Sequence, residues 1–365
     1  MSVFFSGLEW AKRNKGKLVL AGSLVGGMVA LNKYLSSVVN SFDQSPIREY
    51  VSDVRKKENH FEDTLRTCSQ TILDLSPDVI SELEKHLNVD KILAKLLENQ
   101  HQKETWSELR VCIFSRIIAE IFSFACLVCF VKTQVCVISG YNYVYTSKSQ
   151  ANPISGEGQL YYLSFMDKFY RRLIRESMGP IESAVDEATR DITLDQELTF
   201  QDLKNILEQI KNHILFYLDA VNLTKFMADD GQAFSAGHPK VKSEPNSKEV
   251  ALVTKMLHEV EDVLESDDCK KVIKTTVDVG YSITMDLLFQ CFGPSDPKES
   301  PNSTVFLNPH SKRIPFAKLL PALHHLLKRR SDSNEESSLV RHFLSLDVIN
   351  CYAANIYEAF CNANE

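Results

Sequence analysis

From Ser41 onward, apolar residues return every three or four positions in segment after segment, the period of α-helices that each bury one face. Leu203, Ile206, Leu207, Ile210, Ile214, Leu218 and Val221 form one such stripe, and Thr199 with Asp202 opens it at the spacing of a capping box. Val253, Met256, Leu257, Val260, Val263 and Leu264 form another. Further stripes run through Leu319, Leu320, Leu323, Leu326 and Leu327, and through Phe343, Ile349, Tyr352, Ile356 and Phe360. No stretch sustains the two-residue alternation of strands. The pattern predicts an all-α fold, a large elongated bundle of eight to ten helices occupying residues 41–365 as one domain.

Stretches rich in Ser, Pro, Gly, Asn or charge predict loops at Thr146–Gln159, Thr224–Lys248, Gly293–Pro315 and Ser331–Ser338. The most apolar part of this body is Val111–Tyr145. Within it only 11 residues separate Glu120 from Lys132, about 16 Å of helix, against roughly 30 Å of membrane hydrocarbon. It therefore reads as the central core helix, with a second membrane span as the alternative, and Arg116 and Glu120, one turn apart, are placed to pair.

A different pattern precedes the body. The run from Leu18 to Leu31 is apolar without a polar face, and extending it to Leu35 gives 18 residues, about 27 Å of helix, if Lys33 snorkels to the headgroups. The preferred reading is a transmembrane anchor over 18–35. A cleaved signal peptide would put Met28 at the -3 position of a cut after Ala30, a poor fit, and a buried core helix is the other alternative. Ahead of the anchor, Lys12, Arg13, Lys15 and Lys17 make residues 1–17 a basic N-terminal segment suited to membrane targeting.

Composition narrows the function classes. The 365 residues are 44% hydrophobic and 24% charged, ordinary for a globular chain and too polar for a multi-span transporter. A formal net charge of -7 argues against nucleic acid as a partner, because phosphate binding needs a positive face. Nine cysteines, an odd number without regular spacing, suggest reduced thiols in a cytosol-facing compartment rather than a disulfide framework. Cys126 and Cys129 form a C-x-x-C inside an apolar helical pattern, with no second ligand pair to complete a metal site. His324 and His325 are adjacent and so diverge on a helix. With no phosphate loop, dinucleotide fingerprint, nucleophile elbow or metalloprotease motif, the chain is expected to be a non-enzyme with no cofactor, no metal and no small-molecule substrate.

Seven segments in order carry a resemblance over nearly the whole chain. They are the basic N-terminus with its apolar run and Gly26–Gly27 pair, HFEDTLRTC (60–68), KLLENQHQKETWSELR (95–110), GYNYVY (140–145), EVEDVLES (259–266), IPFAKLLP (314–321) and AANIYEAF (353–360). Together these resemble the peroxin-3 family of peroxisomal membrane biogenesis factors; the loops after Thr146, Thr224 and Gly293 do not match. The resemblance implies a single-pass protein in contact with peroxisomal membrane lipid, whose helical body faces the cytosol. That body would dock the N-terminal helix of peroxin-19, the carrier of newly made membrane proteins, in an apolar groove. Trp106 would fill the groove contact, Leu97 and Leu109 would flank it, and Lys318 and Lys103 would supply basic contacts. Basic residues ahead of a span ordinarily stay cytosolic, whereas the family's short N-terminus faces the organelle interior.

The residues carry a similar reading in their own right. Leu93, Leu96 and Leu97 are expected to share a helical face before the polar NQHQKE linker, and Trp106, Leu109 and Ile113 to share one after it. Two such faces converging would form a helix-in-groove site. By spacing alone Trp106 could equally staple two helices inside the bundle. An organelle tether or inheritance adaptor acting through the Thr224–Lys248 loop is the alternative function, and a membrane-bound enzyme a distant third.

Overall fold

A computed structural model describes residues 45–98, 103–148, 154–227, 247–292, 312–332 and 337–362. The expected anchor at 18–35 and the basic segment at 1–17 lie outside the described residues, as does most of the Thr224–Lys248 loop. Within the described residues the fold is all-α. Helix α1 runs Ser45–His86, α2 Val89–Glu98 and α3 Lys103–Ser147. Next come α4 Gly156–Leu163, α5 Phe165–Thr189, α6 Phe200–Ala220, α7 Ser247–Leu264 and α8 Asp267–Phe289. Helices α9 Phe316–Asp332, α10 Ser337–Ser345 and α11 Asp347–Asn362 complete the order.

Helix α3 is the axis of the molecule. At 45 residues it is about 68 Å long, and α1, α5, α8 and α11 all pack along it. Its sequence is apolar all round, a pattern stable in water only if the helix is enclosed. It is enclosed: nearly every residue from Leu109 to Tyr141 is buried. It is long and apolar enough to cross a membrane, but the apolar window lies wholly inside the protein.

The polar residues of α3 explain how its neighbours are held in register. Arg110 donates to the Thr189 carbonyl at 2.8 Å and to Asp186 at 3.0 Å, tying α3 to the end of α5. Arg116 reaches Glu84 on α1 at 3.6 Å and forms the expected pair with Glu120 at 4.0 Å. Gln134 and Tyr162 on α4 bond reciprocally through each other's backbone carbonyls, and the Thr133 and Tyr352 hydroxyls join α3 to α11 at 2.8 Å. Each bond spares a buried polar group the cost of lying unpaired. Gly140 lets α11 approach closely, since a Cβ there would sit 2.7 Å from the Phe360 Cβ.

The capping box forms as spaced: the Thr199 Oγ1 accepts from the Asp202 amide at 3.2 Å while Asp202 accepts from the Thr199 amide at 2.8 Å. Leu203, Ile206, Leu207, Ile210, Ile214 and Leu218 then bury along α6. Thr199→Ala should cost about 1 kcal/mol of stability, measured by denaturant unfolding of the full chain in detergent; an unchanged midpoint would show that the cap is not used.

Two expectations about segment ends change. The Thr146–Gln159 stretch is largely helical at its edges, because α3 continues to Ser147 and Ser155 caps α4, accepting from the Gly158 amide at 3.1 Å. A strand pair is also present. Glu197–Leu198 (β1) pairs antiparallel with Ile314–Pro315 (β2), Glu197 opposite Pro315 and Leu198 opposite Ile314. Two residues are too few to show alternation in sequence.

Candidate functional site

Helix α2 is short, and its placement comes from both of its ends. Asn88 caps it by accepting from the Lys91 amide at 2.9 Å. Asp90 in its first turn takes Lys328 at 2.9 Å and His324 at 3.0 Å from α9. Those hydrogen bonds, Lys328 first and His324 second, hold the Asp90 carboxyl below its ordinary range. Near the other end Lys95 reaches both carboxylate oxygens of Glu108 on α3 at 3.3 Å. The helix is thus clamped between α9 and the first turns of α3, and Arg110 fixes those turns on α5.

This clamp leaves one edge of α2 open. Val89, Ile92 and Leu96 bury into the core, while Leu93 is half-buried and Leu97 is 79% exposed. Leu96 and Leu97 sit about 100° apart around the helix axis, and only the Leu96 side is covered by the core. The expected Leu93–Leu96–Leu97 face therefore splits: Leu96 belongs to the core, and Leu93 with Leu97, one turn apart, forms the open edge.

On α3, Trp106 is half-buried and packs against the core, whereas Leu109 and Ile113 are fully buried. The three do share a side of the helix, but Trp106 lies at its rim and the other two lie beneath. Leu109 and Ile113 have no surface to offer a partner, which corrects their expected role as groove contacts.

Leu97 and Trp106 each lie two residues from the Lys95–Glu108 bridge, about 3 Å of helix rise, and on either side of the short connection between α2 and α3. The structure therefore brings Leu93, Leu97 and Trp106 to one end of the bundle. Lys103 is exposed one turn before Trp106. Lys318 is exposed near the start of α9, where Phe316 packs against Phe114 with ring centroids 6.2 Å apart. Phe114 stands about two turns along α3 from Trp106, and no described contact joins Lys318 to the indole.

The clamp residues Asp90, His324, Lys328, Lys95 and Glu108 are the part of the site that sequence reading missed. His324 and Lys328 lie one turn apart on α9, and nothing in the sequence pointed from them to a carboxylate 234 residues away.

Cys126 and Cys129 are buried in α3, and burial pushes both thiols well up. Among the described residues no three His, Cys, Asp or Glu side chains converge as metal ligands.

The family model for Peroxin-3 matches residues 162–359, more than half of the chain. The chain belongs to the Peroxin-3 family. Curated relatives extend the match to both ends. It is 27% identical over 367 residues to the Homo sapiens protein named Peroxisomal biogenesis factor 3, covering 96% of each chain. It is 26% identical over 373 residues to the Bos taurus protein of that name, covering 98% of each. The Mus musculus protein is 27% identical over 372 residues at 96% coverage. The alignment with these Peroxin-3 relatives therefore takes in the α2–α3 hairpin, which lies ahead of the part matched by the family model.

Proposed function

We propose that the chain acts in peroxisome biogenesis as a docking receptor in the peroxisomal membrane, receiving the N-terminal helix of peroxin-19 on the open edge of α2 and the rim of α3. Family membership supports the peroxisomal role. The observation that carries the docking surface is Leu97: a leucine left 79% exposed on a helix clamped at both ends, beside half-buried Leu93 and at the same end as half-buried Trp106. An amphipathic helix laid there would cover this apolar edge. Lys103 and Lys318 would meet acidic or C-terminal groups of the guest helix.

In this reading residues 18–35 span the membrane in contact with peroxisomal lipid, the basic residues Lys12, Arg13, Lys15 and Lys17 serve targeting, and the helical body faces the cytosol. The support for the anchor is its apolar run from Leu18 to Leu31 and the alignment with relatives over nearly the full chain. No enzymatic step and no cofactor enter this function.

The test is Leu97→Asp in the full chain, titrated with a peroxin-19 N-terminal peptide by calorimetry. An exposed position tolerates the change within about 0.5 kcal/mol of stability, while a carboxylate facing the apolar side of a guest helix should reduce affinity at least tenfold, about 1.4 kcal/mol. Unchanged affinity would remove α2 from the docking surface.

A further inference from the structure

Helix α9 is fixed in the body along its length and at its start. Leu319, Leu320 and Leu323 are fully buried along it, and Phe316 packs against Phe114 of α3 with ring centroids 6.2 Å apart. Backbone bonds pin its first residues: the Phe316 amide donates to the Gln196 carbonyl and the Ala317 amide to the Leu194 carbonyl, both at 2.9 Å, beside the β1–β2 pair. From this fixed helix His324 and Lys328, one turn apart, reach Asp90 of α2 at 3.0 Å and 2.9 Å.

Helix α2 has the opposite character. It is 10 residues long, joined to α1 through Leu87 and Asn88 alone, and its buried row is Val89, Ile92 and Leu96. A helix of this length has little stability of its own, so the direction its sides face depends on what grips it. Asp90 and Leu97 are seven residues apart, nearly two whole turns, and so leave the helix axis within about 20° of each other. Lys95, held by Glu108 at 3.3 Å, points about 140° away from Asp90. The two bridges thus grip α2 on opposite flanks, with the buried row between them.

We infer, on the docking reading above, that the Asp90–His324–Lys328 bridge is the positioning element of the docking edge: by fixing the rotation of α2 about its own axis, α9 sets the direction in which Leu97 faces a guest helix. Asp90, His324 and Lys328 then act through Leu97 and are positioning residues, not contacts of the guest. An edge held at one angle before the guest arrives loses less freedom on binding than one that must find that angle. The side chains of Asp90 and Lys328 are 61% and 51% exposed, so their pairing adds little to the stability of the bundle. Loss of the bridge should therefore register in affinity and in the motion of α2, not in melting.

The test is a charge exchange in the full chain in detergent. Lys328→Asp and Asp90→Lys each bring like charges together, and each should weaken binding of the peroxin-19 N-terminal peptide about fivefold by calorimetry. Amide hydrogen exchange should quicken in α2 alone, with the melting curve unchanged. The two substitutions combined restore the pair with its polarity reversed and should return affinity to within about twofold of wild type, a recovery that general loosening of the bundle would not give. Unchanged affinity and unchanged α2 exchange in Lys328→Asp would overturn the inference. So would losses that simply add in the double variant, since they would make the two side chains independent contacts of the guest. A wild-type chain that does not bind the peptide would count against the docking reading alone, and α2 exchange in Lys328→Asp would still decide whether the bridge sets the helix.

Discussion

Trp106→Ala is expected to weaken binding of a peroxin-19 N-terminal peptide by about 2 kcal/mol or more, roughly a 30-fold rise in Kd. The reasoning is one of area and position. An indole offers about 150–250 Å² of mostly apolar surface. Trp106 has committed most of that surface to the core and left the remainder at the rim of α3. Covering the remainder with a guest helix would complete its burial against the core, which is the setting in which tryptophan dominates binding. Truncation also removes the part already buried, at a stability cost on the order of 3 kcal/mol. The discriminating observation is therefore retained helical content and cooperative melting alongside lost affinity. Trp106→Phe, which keeps a ring of smaller area, should fall between wild type and Trp106→Ala. Global unfolding of Trp106→Ala would instead make the indole a packing residue.

Phe130→Ala should be the most destabilising single truncation, by about 3–5 kcal/mol. Phe130 is fully buried at the middle of α3 and stacks on Phe169 of α5 with centroids 4.0 Å apart and planes at 6°. Phe169 in turn meets Phe226 edge-on at 5.9 Å and 85°. Removing the first ring leaves a cavity and strips an aromatic partner from the second, at the place where α3 and α5 are held together. Chemical denaturation of the full chain in detergent would show the lowered midpoint. A loss below about 1 kcal/mol would mean that the core relaxes around the gap and that α3 is less central than its burial implies.

The fold was legible where local chemistry and global packing agree. The Thr199–Asp202 box and the α6 stripe followed from spacing, and the core placement of α3 followed from Glu120 and Lys132 leaving too short an apolar run to span a membrane. The Arg116–Glu120 pair followed from a four-residue step. The β1–β2 pair was not legible, because two residues carry no period and their partners lie over a hundred positions apart. The site divided along the same line. Spacing put Leu97 and Trp106 on helices flanking one connection, yet it could not say what covers each face. Leu96, Leu109 and Ile113 went to the core because other helices lie against them, and the carboxylate linking α2 to α9 depends on contacts across more than 230 residues.

The account rests on Trp106 and Leu97 being open to a guest helix. The sequence has two tryptophans, Trp10 and Trp106, so Trp10→Phe leaves Trp106 as the sole indole. The direct measurement is its emission during titration of the full chain with the peroxin-19 N-terminal peptide. A saturable blue shift, absent when Leu97→Asp is added, is the predicted result. Tight binding, seen by calorimetry, with no change in Trp106 emission would contradict it.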